Sequence, residues 1–296
     1  MRALKHLCFV WLLLAGFAYA QTPTATPAPA ATTTPTPIKP PAPLRVAVDP
    51  HEPPFVYKSG EKLSGLEIEL ARGLGDALNR PVVFVETSMT DLIPALLDDK
   101  ADIVMSGMAI NRLRQVRTAF CSPYLRIGQL ALCRRAELSI YVNNNNLQNV
   151  RGDIGVVTGS TGDMVVSAQF AFAGHTPFPT YAEAVQALLS KKVDLVLADY
   201  PVAIWECAEN EASIGMVPNF LSQEDVAWAV RKDDDALRSA ANAYLEQLRT
   251  SGKLALTIHK WIPDAATESI APSSSPGSMP APAVTADTAK PPAAKN

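Results

Sequence analysis

Four polar segments contain the residue types that hold a small charged molecule. Gly159-Ser160-Thr161-Gly162 offers backbone N–H groups and hydroxyls, which suit an anion such as a carboxylate. Arg114 is one of three arginines within 112–117, and a planar guanidinium can grip a carboxylate through two hydrogen bonds. Asp199 could hold an ammonium group. Asp49 and Glu52 add acidic groups in another loop.

Each of these segments also has a simpler structural explanation. Ser160 or Thr161 could be the N-cap of a helix, and Asp199 could be another cap. Asp49 and Glu52 could lie in a solvated loop. Three arginines in six residues usually indicate an exposed surface, and spacing alone does not single out Arg114.

The segments follow predicted strands of an α/β fold. Strand patterns at 44–48, 82–85 and 103–105 alternate with helical patterns, and this βαβαβ order predicts a parallel sheet covered by helices. The pattern returns with strands at 154–157 and 193–197. Ligands of such sheets bind beyond the carboxyl ends of the strands, where the polar segments lie.

An internal repeat indicates two similar units. Residues 91–107 read DLIPALLDDKADIVMSG, and residues 183–199, 92 positions later, read EAVQALLSKKVDLVLAD. Both stretches have a helix ending in Ala-Leu-Leu, a turn and a strand. They predict two α/β lobes, although helix–turn–strand units also resemble one another by coincidence.

The two ends of the chain differ from its middle. Residues 1–20 have the basic, apolar and small-residue regions of a cleaved signal peptide, and an uncleaved short anchor is the alternative. Residues 21–43 form a Pro/Thr/Ala-rich linker, and 265–296 form a tail; both compositions predict disorder. The expected folded part is 44–264.

Charge and cysteine usage exclude several classes of protein. The net charge is −3, and it becomes −5 when the two basic residues of the signal peptide are removed, with no basic patch for a nucleic acid. There is no CxxC motif and the four histidines are scattered, so we predict neither a metal nor a cofactor. Of the three cysteines left in an exported chain, one pair could oxidise.

The ordered motifs across 44–262 resemble family 3 of the bacterial extracellular solute-binding proteins, the polar amino-acid receptors of ABC importers. The motifs include Leu44-Arg45-Val46-Ala47-Val48-Asp49, Gly65-Leu66-Glu67-Ile68-Glu69-Leu70, Asp102-Ile103-Val104-Met105-Ser106-Gly107, Phe120-Cys121-Ser122-Pro123-Tyr124 and Asp194-Leu195-Val196 with Asp199.

This resemblance implies a type II periplasmic-binding-protein fold, two α/β lobes joined by two hinge strands. Lobe 1 would comprise 44–131 plus 226–264, and lobe 2 would comprise 132–225. The implied protein is a monomeric periplasmic receptor that captures a small amino-acid-like ligand by hinge closure and delivers it to an ABC-transporter permease.

The resemblance also implies a set of ligand-binding residues. Arg114 matches the arginine that binds the ligand carboxylate, Asp199 matches the carboxylate that holds its ammonium group, and Phe55 and Met89 would pack on its apolar part. The full set is Asp49, Glu52, Phe55, Met89, Ser106, Gly107, Ala109, Arg114, Ser160, Thr161 and Asp199.

Two positions depart from the family pattern. Glu52 stands where an aromatic residue is common, and Ala109 stands where a serine is common. With Asp49 nearby, Glu52 indicates a ligand with a cationic side chain, unless Glu52 faces solvent.

Two other functions remain open. Residues 105–133 resemble cyclohexadienyl (arogenate/prephenate) dehydratase, an enzyme of this fold, but the position of its catalytic acid is Val202 here, which favours no catalysis. That resemblance implies a Cys133–Cys207 disulfide. The Pro-rich linker would also suit a ligand-sensing domain without transport.

Overall fold

The computed structural model describes residues 41–263. The predicted signal peptide, most of the linker and the tail lie outside these residues. None of the helices within 41–263 is long and apolar enough to cross a membrane.

The described chain contains fifteen strands and ten α-helices. The strands are β1 (Leu44–Val48), β2 (His51–Glu52), β3 (Val56–Ser59), β4 (Lys62–Ser64), β5 (Val82–Glu86), β6 (Ile103–Val104), β7 (Ala119–Phe120), β8 (Leu125–Ile127), β9 (Gln129–Arg134), β10 (Asp153–Val157), β11 (Gly174–Phe178), β12 (Leu195–Asp199), β13 (Ile214–Met216), β14 (Glu224–Val226) and β15 (Ala229–Val230). The helices are α1 (Leu66–Ala77), α2 (Leu92–Leu97), α3 (Arg112–Arg117), α4 (Leu138–Tyr141), α5 (Asn144–Gln148), α6 (Thr161–Gln169), α7 (Tyr181–Leu189), α8 (Tyr200–Glu209), α9 (Asp235–Thr250) and α10 (Lys253–Trp261).

Two five-stranded sheets share one topology. The first has the order β5-β1-β6-β15-β7 and the second the order β11-β10-β12-β9-β13. In each, the first three strands are parallel and the fourth is antiparallel to the third. The repeated sequences end in β6 and β12, which occupy the same place in their sheets. The predicted type II fold with two α/β lobes is therefore confirmed.

The two sheets are joined by an antiparallel ribbon. β8 pairs with β14, with Glu224 opposite Ile127 and Val226 opposite Leu125. The apolar sequence Val226-Ala227-Trp228-Ala229-Val230 predicts one strand, but the chain leaves the ribbon after Val226 and enters the first sheet at β15. The prediction of a single strand is wrong because the two parts of this segment pair with different strands.

The core of the first lobe forms around α1. Leu66, Leu70 and Leu74 recur every four residues and are all buried, as the spacing predicted. The C-terminal helices return to this lobe. Trp228 stacks on Tyr244 of α9 with ring centroids 6.3 Å apart.

Candidate functional site

Loops at the carboxyl ends of strands from both sheets meet at a cleft. Arg114 comes from α3, whose first turn is capped because the Asn111 side chain accepts a hydrogen bond from the Arg114 backbone N–H at 2.9 Å. The guanidinium donates to the Ala109 carbonyl at 2.7 Å and to the Gly159 carbonyl at 3.0 Å. The second bond reaches the loop after β10, so one side chain bridges the two lobes.

Arg114 differs from the neighbouring arginines because its side chain is buried. It is 8% exposed, whereas Arg112 and Arg117 on the same helix are exposed. Burial lowers the pKa of the Arg114 guanidinium, while the negative charges of Asp199, Glu224 and Glu52 oppose that change. A buried cation surrounded by carboxylates remains charged and can hold a ligand carboxylate.

Glu52 carries a buried carboxyl group. It is 2% exposed, so it does not face solvent. Within residues 41–263, no hydrogen bond or ion pair reaches its carboxylate. Burial raises the pKa of Glu52 well above its usual value, and the charges of Asp49 and Asp199 add to this rise while Arg114 opposes it. The group would be stabilised by a bound cation or hydrogen-bond donor.

Asp49 is held by its own loop. Its Oδ1 accepts hydrogen bonds from the His51 backbone N–H at 3.1 Å and pairs with His51 Nδ1 at 2.8 Å. Its backbone N–H donates to the Ser106 hydroxyl oxygen at 2.9 Å, which joins the loop after β1 to the loop after β6. Asp49 therefore orders the loop that carries Glu52.

Asp199 ends β12, and its side chain makes no capping hydrogen bond to α8. Its Oδ1 accepts a short hydrogen bond from Gln129 Nε2. Burial and the charge of Glu224 raise the pKa of Asp199 to about 7, against the opposing effects of Arg114 and Gln129. Asp199 does stand at the N-cap position of α8, but its carboxyl group does not cap the helix and is available to another donor.

Gln129 and Glu224 belong to this site although the sequence did not indicate them. Gln129 Nε2 also donates to Glu224 Oε2 at 3.3 Å, so one amide joins two carboxyl groups. Ser222 donates to Glu224 Oε1 at 2.5 Å. These residues lie where the ribbon meets the second sheet, and no motif or repeat marked them.

The remaining predicted residues either belong to the start of α6 or line a cavity beside Arg114. Ser160 caps α6, because its hydroxyl oxygen accepts from the Asp163 backbone N–H at 3.2 Å, and Thr161 is the half-buried first residue of that helix. Met89 lines a cavity of about 320 Å³ together with Arg114 and Gly159.

Phe55 supports the site from within the core. It is 1% exposed, and its ring lies where a side chain on Gly107 would be: a Cβ there would come within 2.7 Å of the ring. Gly107 also has φ +65°, which disfavours any other residue. Phe55 and Gly107 thus shape the loop after β6.

Glu67 anchors the same loop. Its Oε1 accepts hydrogen bonds from the Gly107 backbone N–H at 2.9 Å and from the Tyr124 hydroxyl at 2.6 Å. Its Oε2 accepts from Trp228 Nε1 at 2.9 Å. Tyr124 precedes β8 and Trp228 follows β14, so one buried carboxylate connects the cleft loop to both strands of the ribbon.

The structure does not contain the Cys133–Cys207 disulfide. Both residues are free thiols, as is Cys121. Burial raises the pKa of Cys133 and of Cys207 to about 11. Among residues 41–263, no group of three or more His, Cys, Asp or Glu side chains is placed to hold a metal ion.

Residues 44–264 match a family described as bacterial extracellular solute-binding proteins, family 3. The chain is 31% identical over 218 residues to a probable histidine-binding protein of Neisseria gonorrhoeae, covering 71% of this chain and 79% of that protein. It is 28% identical over 223 residues to an L-arginine-binding protein of Pseudomonas aeruginosa, covering 71% of this chain and 84% of that protein.

The chain is also similar to an enzyme. The chain is 29% identical over 157 residues to cyclohexadienyl dehydratase of Pseudomonas aeruginosa, and the match spans 53% of this chain and 59% of the enzyme. A crystal structure of an ancestral amino-acid-binding protein, a precursor of cyclohexadienyl dehydratase, superposes with a TM-score of 0.70 at 31% identity, over 74% of this chain and 95% of that one. The local resemblance predicted from the sequence is confirmed.

Proposed function

Because this chain belongs to family 3 of the bacterial extracellular solute-binding proteins, we propose that it captures an amino acid with a cationic side chain by hinge closure. The observation that carries the proposal is Glu52, a buried carboxyl group close to Asp49 and Asp199 that receives no hydrogen bond or ion pair from residues 41–263. A ligand cation would supply the missing partner.

The balance of charge in the cleft favours the same ligand class. The acidic residues Glu52, Asp199 and Glu224 act on the guanidinium of Arg114, and a fourth, Asp49, lies close to Glu52. A zwitterion adds no net charge, whereas a cationic amino acid adds one positive charge and reduces the repulsion among the buried carboxylates. Relatives named for histidine and for L-arginine are consistent with this class.

We assign the ligand carboxylate to Arg114 and its α-ammonium group to Asp199, with Ser160, Thr161 and the loop at Ser106 and Gly107 assisting. Arg114 already bonds the Gly159 carbonyl of the other lobe, and a carboxylate bound there would contact both lobes only when the cleft is closed. The receptor would be exported by residues 1–20, act as a monomer and deliver its ligand to an ABC-transporter permease.

Thermal-shift measurements with each of the twenty amino acids test the ligand class. We expect arginine, lysine or histidine to raise the melting temperature, since a ligand that binds only the folded state stabilises it. A rise produced by neutral amino acids alone would reject the cationic ligand. A protein stabilised by no amino acid would reject the proposed function.

A Glu52→Gln variant is expected to bind arginine about 10- to 100-fold more weakly than wild type, because the guanidinium or ammonium of the ligand loses a buried carboxylate. Its affinity for glutamine should not fall, and isothermal titration calorimetry measures both. Glu61→Gln provides the matched control, since Glu61 is exposed in the turn between β3 and β4. Equal affinity of Glu52→Gln and wild type for arginine would contradict the role of Glu52.

The affinity for a cationic ligand is expected to fall below pH 7. In the free protein the pKa of Asp199 is raised to about 7, and an ammonium bound to the carboxylate would lower that pKa. Binding is therefore strongest above pH 7, where the carboxylate is ionised, and weakens by up to about tenfold per pH unit as the pH decreases below 7. Titrations between pH 5 and 8 measure this; a constant dissociation constant would contradict it.

Dehydratase activity is the alternative that similarity to the enzyme raises. Val202, at the position of the enzyme's acid, is fully buried in the apolar core and has no proton to give to a leaving hydroxyl. We expect no phenylpyruvate or phenylalanine to form when the protein is incubated with prephenate or arogenate. Turnover of either compound would replace the receptor proposal with a catalytic one.

A further inference from the structure

Glu224 lies against the Gln129 amide and close to Arg114. It is the first residue of β14, and the carbonyl of the next residue, Asp225, accepts a hydrogen bond from the Ile110 backbone N–H at 2.8 Å. Val226 forms a β-bridge with Ala109, whose carbonyl holds Arg114. The start of β14 is thus packed against the loop that positions the guanidinium.

The side chain of Glu224 faces the cleft, and that of the next residue faces away. Asp225 pairs with Arg126 at 2.8 Å on the outer face of the ribbon. Glu224 instead shares the amide of Gln129 with Asp199. Successive residues of a strand point to opposite sides, which explains the difference.

The two carboxyl groups have more acceptor sites than donors. Within the described residues, Glu224 receives hydrogen bonds from Gln129 and Ser222, and Asp199 receives one from Gln129. An ionised carboxylate accepts at about four lone-pair sites, and an ammonium group has three N–H donors. An ammonium bound between them would use this unused capacity and separate two like charges.

A second observation points to a cation at this position. Glu52, which has no hydrogen-bond partner in residues 41–263, lies on the opposite lobe close enough to Asp199 for the charge of Asp199 to act on it. Arg114 has two donors committed to backbone carbonyls, so it cannot satisfy all of these carboxyl groups.

We propose that Glu224 is a ligand-recognition residue that forms, with Asp199, a two-carboxylate site for the α-ammonium group of the ligand. This inference rests on the proposed function and adds a requirement to it. The receptor selects amino acids with a free α-ammonium group and rejects analogues that lack one, even when their carboxylate and cationic side chain are intact.

The test compares arginine with 5-guanidinopentanoate, which differs from arginine only in lacking the α-ammonium group. By calorimetry, Glu224→Gln should bind arginine about 10- to 100-fold more weakly than wild type. The same substitution should leave the affinity for 5-guanidinopentanoate unchanged within about twofold. Asp225→Asn, the neighbouring carboxylate on the outer face, should change neither affinity. If lysine is the ligand, 6-aminohexanoate replaces 5-guanidinopentanoate.

The outcomes separate this inference from the proposed function. Equal loss of both ligands would show that Glu224 acts only on the fold, and no loss of arginine would show that it does not contact the ligand; either result overturns the inference. If Glu224→Gln does not fold, Glu224→Asp, which keeps the charge on a shorter side chain, must show the same selective loss. Wild type that binds no cationic amino acid would overturn both proposals.

Discussion

An Arg114→Met variant is expected to lose binding of the amino-acid ligand by at least about 100-fold, while cooperative thermal unfolding is retained. Methionine keeps an unbranched apolar stem in a buried position but removes every N–H donor. The ligand carboxylate would then be buried without a charged partner, which costs several kcal/mol.

The same variant also removes a direct hydrogen bond between the lobes. Arg114 donates to Gly159 from across the cleft, so its loss weakens the closed state as well as ligand contact. Arg112→Met is the matched control, since Arg112 is exposed on the same helix. Calorimetry measures the affinity, and circular dichroism measures the unfolding. Wild-type affinity in Arg114→Met would reject Arg114 as the carboxylate-binding residue.

A Glu67→Leu variant is expected to lose at least about 3 kcal/mol of unfolding free energy, because three buried donors lose their acceptor at about 1–3 kcal/mol each. These donors are the Gly107 N–H, the Tyr124 hydroxyl and Trp228 Nε1. In a folded part of this size, that loss corresponds to a fall of roughly 10 °C in melting temperature.

Two variants sharpen this expectation. Glu67→Gln should lose about half as much, since an amide has one acceptor oxygen and cannot serve donors on both sides of the group. Glu69→Gln on the same helix should lose less than about 1 kcal/mol, because its bridge to Lys260 is exposed and the amide oxygen can still accept from Trp261 Nε1. Chemical denaturation measures all three. A Glu67→Leu protein as stable as Glu69→Gln would contradict the anchoring role.

The fold was largely predictable because its signals are local. The strand at Leu44–Val48 and the leucine spacing of α1 follow from short periodic patterns, and the repeat placed β6 and β12 in equivalent positions. The division between β14 and β15 was not predictable. The apolar run at 226–230 indicates that these residues are buried, but it does not indicate which of two sheets each part of the run joins.

The site was predictable only in part, for a related reason. Loops after strands could be identified, but the family resemblance was needed to select Arg114 among three arginines, and its burial now separates it from the others. Glu224 and Gln129 are 95 positions apart and meet only after both strands of the ribbon are formed. A contact of that separation leaves no local pattern in a single sequence.

The order of strands in the two sheets has a consequence for the sequence of events in folding. All strands of the second sheet come from residues 129–216, whereas the first sheet spans 44–230 because β15 joins it from the far end of the chain. During synthesis, which starts at the N-terminus, the chain can complete the second sheet while the first sheet still lacks β15. The earliest synthesised strands must wait for late ones, and the exposed edge of β6 in that interval is a site where chaperones or aggregation compete with folding.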